Sequence, residues 1–410
     1  MKKIFLGSLF FITTNVFSQF SNLIIFGDSL SDSGNFPETV SAWVDLNKPK
    51  NIGNLYASYY VPFSNPVDTQ SPIFTVPGTD KQFLWPIVAH NYQFPQMRIG
   101  HFQQMRAYSS FDWTQLFLSM AYADGLTKSN IVVPNLILHY QEIPKDASVS
   151  YAAGFATSFK NCRNPHYQII QPCTLNTILA RQSIYRNNPT QAHYKIIQVP
   201  GLYKQVDLFL QDIKNKSVIV NQNTLYVFWS GGNDIIIADN ALLTHWNPIP
   251  AIFYLFGETG FHIVSNIRHL VKQLPENTRP HFIYVNTSFN PELTPFAYNT
   301  TNGKMGKYAT KVSNFWLTLD AHIFNLFSST KIVIVPVYEW YQTAAKSDYF
   351  KSKMGKACQL DAGDYNNPVA IPSGNCSGYL FWNAVHPSVF MNALMAYHLL
   401  RYLKNDGSES

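Results

Sequence analysis

Residues 24–36 read IIFGDSLSDSGNF, a short apolar run that stops at Gly27-Asp28-Ser29. An apolar run of this length is typical of a buried strand. Open α/β sheets bind their ligands beyond the carboxyl ends of their strands. The stretch therefore predicts a serine, Ser29, presented at the edge of a sheet. Taken alone, a serine in this place is more often the N-cap of a helix.

The first eighteen residues have a different character from the rest. Lys2 and Lys3 precede the apolar segment IFLGSLFFITTNVF, which is too short to span a bilayer. This pattern predicts a secretory signal peptide over residues 1–18 and a mature, secreted chain that begins near Gln19. A short buried strand or a membrane anchor is the less favoured interpretation.

The low content and even distribution of charged residues bear on which classes of function are expected. Charged residues make up 13% of the 410 residues, against about 25% in an average protein. The formal charge of +6 falls to +4 without Lys2 and Lys3, and no dense Lys/Arg run occurs. Nucleic-acid binding is therefore not indicated. No later stretch is apolar and long enough for a transmembrane helix, and residues 19–410 are predicted to form one domain.

The four cysteines are Cys162, Cys173, Cys358 and Cys376. Export favours disulfides, and proximity along the chain favours Cys162–Cys173 and Cys358–Cys376. Four cysteines nevertheless allow three pairings. The spacing expected of a zinc site is absent, so no metal site is predicted.

Strand-like and helix-like segments alternate along the chain, which predicts a parallel sheet wrapped by helices. Residues 37–107, rich in Pro, Asn, Tyr and Phe, show no sustained period and are interpreted as a long irregular insertion. Besides the opening strand, buried strands are predicted within 224–229, 281–288 and 331–341, and a weak strand before residue 151. Helices are predicted over 111–125, 200–215, 260–274 and 312–329, and from Pro387 to 403.

Two further sites carry chemistry that a nucleophilic serine needs. Gly231-Gly232-Asn233 follows the predicted strand TLYVFW, and His386 precedes the last helix in FWNAVHPS. A neutral imidazole removes the serine proton near pH 7, and an amide N–H can stabilise the oxyanion that develops. Each feature alone is more often turn or cap chemistry. Their combination and order favour a catalytic site.

The blocks FGDSLSDSGN, WSGGNDI and FWNAVHPS resemble those of the GDSL, or SGNH, lipase/esterase family. The likeness covers nearly all of the mature chain and is greatest to the secreted bacterial branch of phospholipases A, lysophospholipases and glycerophospholipid:cholesterol acyltransferases. It implies a three-layer α/β/α, flavodoxin-like fold. It also implies that Ser29 is the nucleophile, that His386 is the base, and that Ser29, Gly154 and Asn233 form the oxyanion hole.

Two positions depart from the family pattern. In YAAGFAT, Phe155 stands where a second glycine is expected, and in FWNAVHPS, Asn383 stands where the acid of the triad is expected. An amide can orient the histidine but carries no charge. Either Asn383 orients His386, or Asp361 or Asp364 replaces the acid from the loop 358–376, or the protein is a catalytically silent relative that binds lipid.

The function expected from these features is ester hydrolysis of phospholipids or lysophospholipids through an acyl-enzyme, without a cofactor. Acyl transfer to a sterol or another alcohol, and transient contact with a membrane surface, follow from the same resemblance. A carbohydrate or aryl esterase is the alternative within the same fold. Asp28 and Asp32 are expected to brace the turn at Ser29, Asp234 to cap the next turn, and His398 to be a packing or surface residue.

Overall fold

The structure is a computed structural model. It describes residues 19–32, 73–84, 112–128, 132–134, 147–153, 156–158, 161–163, 170–172, 176–181, 194–235, 258–358, 377–381 and 385–405. The predicted signal peptide, residues 1–18, lies outside these ranges, as does most of the predicted insertion.

Twelve strands and six longer helices are found within the described residues. The strands are β1 (Leu23–Gly27), β2 (Ile73–Thr75), β3 (Gln82–Leu84), β4 (Val132–Pro134), β5 (Ser148–Ser150), β6 (Asn161–Arg163), β7 (Ile170–Pro172), β8 (Asn176–Arg181), β9 (Tyr194–Val199), β10 (Leu225–Trp229), β11 (Phe282–Asn286) and β12 (Lys331–Val335). The helices are α1 (Trp113–Ala123), α2 (Leu202–Lys214), α3 (Thr259–Gln273), α4 (Thr301–Phe327), α5 (Val337–Lys346) and α6 (Val389–Lys404). Short 3-10 turns occupy Glu276–Thr278, Pro291–Leu293 and Lys351–Lys353.

Six of the strands form one parallel sheet in the order β12-β11-β10-β1-β5-β4. The chain passes from β1 to the edge strand β4, returns to β5 beside β1, and then crosses to β10 on the other side of β1. The direction of winding therefore reverses around β1. In open α/β sheets the carboxyl ends of the strands at such a reversal form the binding crevice.

Helices flank the sheet on both faces. On one face Leu23 and Ile25 of β1 join a buried cluster with α1, α5 and α6. On the other face Ile24 and Phe26 join a second cluster with α2, α3 and α4. Because side chains alternate along a strand, β1 supplies apolar groups to both clusters, as expected of a central parallel strand. The predicted α/β architecture with a central parallel sheet is confirmed.

Several predicted segments were placed correctly and some boundaries were wrong. Residues 337–341 are helical, because Pro336 ends β12 and stands at the N-cap of α5. The helix predicted from residue 312 begins at Thr301, and the last helix begins after Ser388 rather than at Pro387. Within the insertion, β2 and β3 pair as an antiparallel hairpin.

The described cysteines are Cys162, on the short ribbon of β6 and β7, and Cys358, which is buried and disulfide-bonded. Cys173 and Cys376 lie outside the described residues, so both pairings stay predictions. Within the part of the chain that the structure describes, no helix has the length and apolar character needed to cross a bilayer.

Gly27 is required where β1 meets β10. It lies opposite Trp229 in the parallel register, and a Cβ atom at Gly27 would stand 2.2 Å from the Trp229 carbonyl oxygen. Substituting an alanine must therefore push the two central strands apart. The glycine allows the approach that brings the following residues, Asp28 and Ser29, beside the turn after β10.

We predict that Gly27→Ala lowers the free energy of unfolding by at least about 2 kcal/mol, because the added methyl group meets backbone rather than a movable side chain. Gly306→Ala is the control. Its Cβ would lie 3.4 Å from the Pro291 ring, and alanine is favoured over glycine in a helix by about 1 kcal/mol. Urea unfolding of both variants checks this, and an unchanged midpoint for Gly27→Ala would contradict it.

Candidate active site

The hydroxyl of Ser29 and the imidazole of His386 meet across 357 positions of sequence. Nε2 of His386 lies 3.0 Å from Oγ of Ser29, within hydrogen-bond distance. Both residues are half-buried, so the pair remains open to a ligand. Ser29 follows the carboxyl end of β1, where the reversal of winding predicts a binding crevice. The two residues that the sequence singled out as nucleophile and base are therefore brought together.

The segment before α6 places His386. Ser388 is the N-cap of α6, where its Oγ accepts a hydrogen bond from the Met391 amide and donates to the Tyr379 carbonyl oxygen. The Ser388 amide also donates to the Leu380 carbonyl, and Phe381 bridges to Pro387. Ser388 therefore both caps α6 and holds the chain next to His386 against residues 379–381.

Asp28 is a buried residue that joins the nucleophile turn to the end of β10. It is 1% exposed, and its carboxyl group accepts a hydrogen bond from the backbone amide of Leu30, which closes the turn that holds Ser29. Its own backbone amide donates to the Trp229 carbonyl, and its carboxyl group faces Gly232, just before Asn233. The expected bracing role of Asp28 is confirmed.

A second carboxylate joins the turn after β10 to the segment after β5. Asp234 accepts hydrogen bonds from the amide and the hydroxyl of Ser158, the latter at 2.6 Å. Its neighbour Asn233 donates from Nδ2 to the Ala156 carbonyl at 2.9 Å. Asp234 was expected to cap its own turn and instead reaches a different loop. The segments after β5 and β10 are therefore linked by carboxylate and amide side chains.

Sequence reasoning missed Gln205. Its side-chain amide is fully buried and pairs with both backbone groups of Gly27, accepting from the amide at 2.9 Å and donating to the carbonyl at 2.8 Å. The sequence does contain a signal for this role, because Gln205 lies on the apolar face of α2 with Leu202 and Val206. A polar residue in a buried stripe requires a hydrogen-bonding partner.

The imidazole of His386 is neutral over a wide pH range. Although the residue as a whole is only half-buried, burial of its ring lowers its pKa to about 3. A charged ring at this position would lack the solvation that it has in water, so burial favours the neutral form. At neutral and mildly acidic pH its ring nitrogens are thus not both protonated, and Nε2 can accept the proton of Ser29 Oγ.

The buried carboxyl groups of Asp28 and Asp234 have raised pKa values. Burial raises the pKa of Asp28 to about 7, and the neighbouring Asp234 and Asp32 add to the rise, while the backbone N–H groups of Leu30 and Gly232 oppose it. Burial raises the pKa of Asp234 to about 6, opposed by its bonds from Ser158. The network beneath the nucleophile therefore titrates near neutral pH.

Several residues predicted for the site lie outside the described residues. They are Gly154 and Phe155, Asn383, and the alternative acids Asp361 and Asp364. Their roles stay predictions. His398, expected to be a packing or surface residue, stacks on Trp340 with ring centroids 5.2 Å apart, which confirms packing.

No group of three or more His, Cys, Asp or Glu side chains among the described residues is arranged to hold a metal ion. In comparisons with known proteins, no family model matches the chain and no curated protein matches it. The resemblance to the GDSL family therefore rests on the three sequence blocks.

The raised pKa of Asp28 predicts a pH-dependent stability. Above about pH 4 the unfolded chain releases this proton, but the folded protein retains it until about pH 7. The free energy of unfolding therefore decreases as pH rises from about 4 to about 7. Between pH 5 and pH 8 we expect the wild type to lose roughly 2–3 kcal/mol more unfolding free energy than Asp28→Asn.

Urea unfolding at the two pH values measures this difference. Asp80→Asn, in the exposed turn of the β2–β3 hairpin, is the control and should retain the wild-type pH dependence. Parallel pH profiles for the wild type and Asp28→Asn would contradict the assignment.

Proposed function

We propose that the chain is a serine esterase with the SGNH-hydrolase fold that acts on phospholipids or lysophospholipids. The observation that carries the proposal is the 3.0 Å contact between Ser29 Oγ and His386 Nε2 at the carboxyl end of β1. A hydroxyl beside a neutral imidazole is the arrangement of an activated serine nucleophile. The resemblance of the three blocks to the GDSL family supports both the fold and the reaction class.

The reaction proceeds in two halves. Nε2 of His386 takes the proton from Ser29 Oγ as this oxygen bonds to the ester carbonyl carbon, which gives a tetrahedral oxyanion. The oxyanion collapses, the bond to the leaving alcohol breaks, and the imidazolium returns the proton to that alcohol. Water, or another alcohol such as a sterol, then attacks the acyl-enzyme by the same route. Hydrolysis or acyl transfer results according to which acceptor reaches the site.

Fixed N–H groups stabilise the oxyanion in this scheme. The Asn233 amide has two N–H groups, and one is held by the Ala156 carbonyl. The other can serve the oxyanion, together with the backbone N–H of Ser29. Because Asn233 itself and its neighbour Asp234 are hydrogen-bonded to the segment after β5, this donor is held in place before substrate arrives. The resemblance assigns a third donor to Gly154.

The lipid substrate and the secreted location come from the sequence. The family branch to which the three blocks are most similar acts on glycerophospholipids, and residues 1–18 have the pattern of a signal peptide. We therefore place the activity outside the cytoplasm, with the protein in transient contact with membrane lipids.

Substitution of the nucleophile tests the proposal. Fatty acid release from phosphatidylcholine and lysophosphatidylcholine by purified protein should fall about 10⁴-fold or more in Ser29→Ala, since loss of a catalytic serine removes the covalent route. Ser217→Ala, a serine in the turn after α2, should retain wild-type activity. Hydrolysis that persists in Ser29→Ala would contradict the assignment. Absence of hydrolysis in the wild type, with lipid still bound, would favour the silent relative.

The asparagine at the acid position gives a second prediction. A carboxylate near His386 would raise the pKa of the imidazole, which burial now holds at about 3, and would stabilise the imidazolium. We expect Asn383→Asp to raise kcat at least about tenfold, with an upper limit near 10⁴-fold. The acidic limb of its pH–rate profile should move to higher pH.

Asn383→Ala, which removes both the amide and the possibility of charge, is the matched variant and should be slower than the wild type. If all three proteins have equal rates and pH profiles, another group such as Asp361 or Asp364 already orients the histidine.

A further inference from the structure

The solvent-facing side of α4 carries a continuous apolar stripe that the proposed catalysis does not use. The helix has 27 residues, so it is about 40 Å long. Apolar side chains recur on it at steps of three or four: Met305, Tyr308, Val312, Phe315, Leu319, Ile323 and Leu326. All of these except the half-buried Val312 are exposed. Steps of three and four are the pattern of a helix that packs along a partner helix.

The exposed fractions are large for apolar side chains. Tyr308 is 67% exposed, Phe315 62% and Leu326 77%. With about 150–250 Å² for each large apolar side chain, the exposed fractions of the six exposed residues give the stripe roughly 500–800 Å² of accessible surface. This is comparable to the roughly 600–1,000 Å² that each partner buries in a standard-size interface, and it is at or above the largest apolar patch of a typical monomer.

The packing of α4 against α3 fixes which side of the helix is exposed. The opposite side of α4 is buried through Gly303, Thr310, Leu317 and Phe324. A Cβ atom at Gly260 of α3 would stand 2.7 Å from the backbone nitrogen of Leu317, so α3 and α4 cross in close contact. The rotation of the helix is therefore fixed, and no described segment packs over the exposed side.

We propose that this stripe is the interface between two antiparallel copies of the chain. The occupant is a second α4, because a helix with the same three–four spacing and the same length is the complementary surface for such a stripe. Pairing about a two-fold axis near residue 314 places Phe315 against Val312 of the other copy, and Tyr308 against Leu319. The area available is comparable to what a stable dimer requires.

Charge favours the antiparallel over the parallel direction. Lys304 and Lys311 lie in the first half of α4, together with Lys307, which pairs with Glu292, whereas the second half of the helix has Asp320 and no lysine. A parallel pair would set the two lysine-rich halves, which are also the positive ends of the helix dipoles, side by side. An antiparallel pair separates them and sets Lys311 near Thr318 of the other copy. The helix starts at the carboxyl edge of the sheet, so the two candidate active sites face opposite ends of the dimer.

The mass of the purified mature chain in solution tests the proposal. Sedimentation or light scattering at about 10 μM should give twice the mass of one chain, and Phe315→Asp should give the mass of one chain, since it sets charges near the axis. Tyr122→Asp is the matched control, because Tyr122 is 52% exposed at the end of α1, away from the stripe. It should leave the dimer intact. Far-ultraviolet circular dichroism shows that each variant is folded.

Cysteine crosslinking tests the direction. In a double variant Tyr308→Cys with Leu319→Cys, peptide mapping should find position 308 joined to position 319 of the other copy. A 308–308 crosslink would overturn the antiparallel arrangement.

Two results would overturn the interface itself. One is a dimer that persists in Phe315→Asp. The other is a monomeric wild type. In that case, a melting temperature that falls in Phe315→Asp but not in Tyr122→Asp would show that a segment of the same chain covers the stripe. Binding to vesicles of phosphatidylcholine and phosphatidylglycerol through Phe315 would instead assign the stripe to a lipid surface.

Discussion

The approach of β1 to β10 at Gly27 sets the geometry of the whole carboxyl edge of the sheet. The strands can pair there because Gly27 has no Cβ to meet the carbonyl of Trp229. The next two residues, Asp28 and Ser29, then stand within reach of the turn after β10. A bulkier residue would separate two central strands on which both buried clusters pack, so the same contact supports the core and the site.

Burial determines the chemistry that the edge can perform. Asp28 and Asp234 lie beneath the loops that carry Ser29 and Asn233, and their raised pKa values show that the network is held at a cost in solvation. The cost is offset by hydrogen bonds within the Ser29 turn and between the segments after β5 and β10. His386 is kept neutral for the same physical reason. A rigid set of donors beside a neutral imidazole is the condition for rapid proton transfer without prior reorganisation.

Much of this arrangement was predictable from the sequence because it depends on local patterns. The apolar run before Gly27, the helical period of α2 and the turn after β10 each have a short-range signature, and parallel topology then brings their ends to one edge. The links between loops were not predictable. Gln205 on Gly27 and Asp234 on Ser158 join residues 178 and 76 positions apart, and no local pattern encodes such pairs.

The wrong boundaries have physical reasons as well. Val337 and Tyr338 continue the apolar run of β12, but Pro336 cannot extend a ladder and instead begins a helix. The first turns of α4 contain Gly303 and Gly306, which lower helix propensity, yet the helix forms because its buried face packs closely, so that a Cβ atom at Gly303 would stand only 2.1 Å from the Ala297 carbonyl oxygen. Tertiary contact outweighed local preference in both segments.

The central claim is that Ser29 is a nucleophile activated by His386. The most direct measurement is the rate at which a fluorophosphonate labels the intact protein, with the modified residue located by peptide mapping. The account predicts a single adduct on Ser29 and a rate that falls by about two to four orders of magnitude in His386→Ala, since the base that removes the serine proton is lost. Labelling elsewhere, or a rate on Ser29 that is independent of His386, would contradict the account.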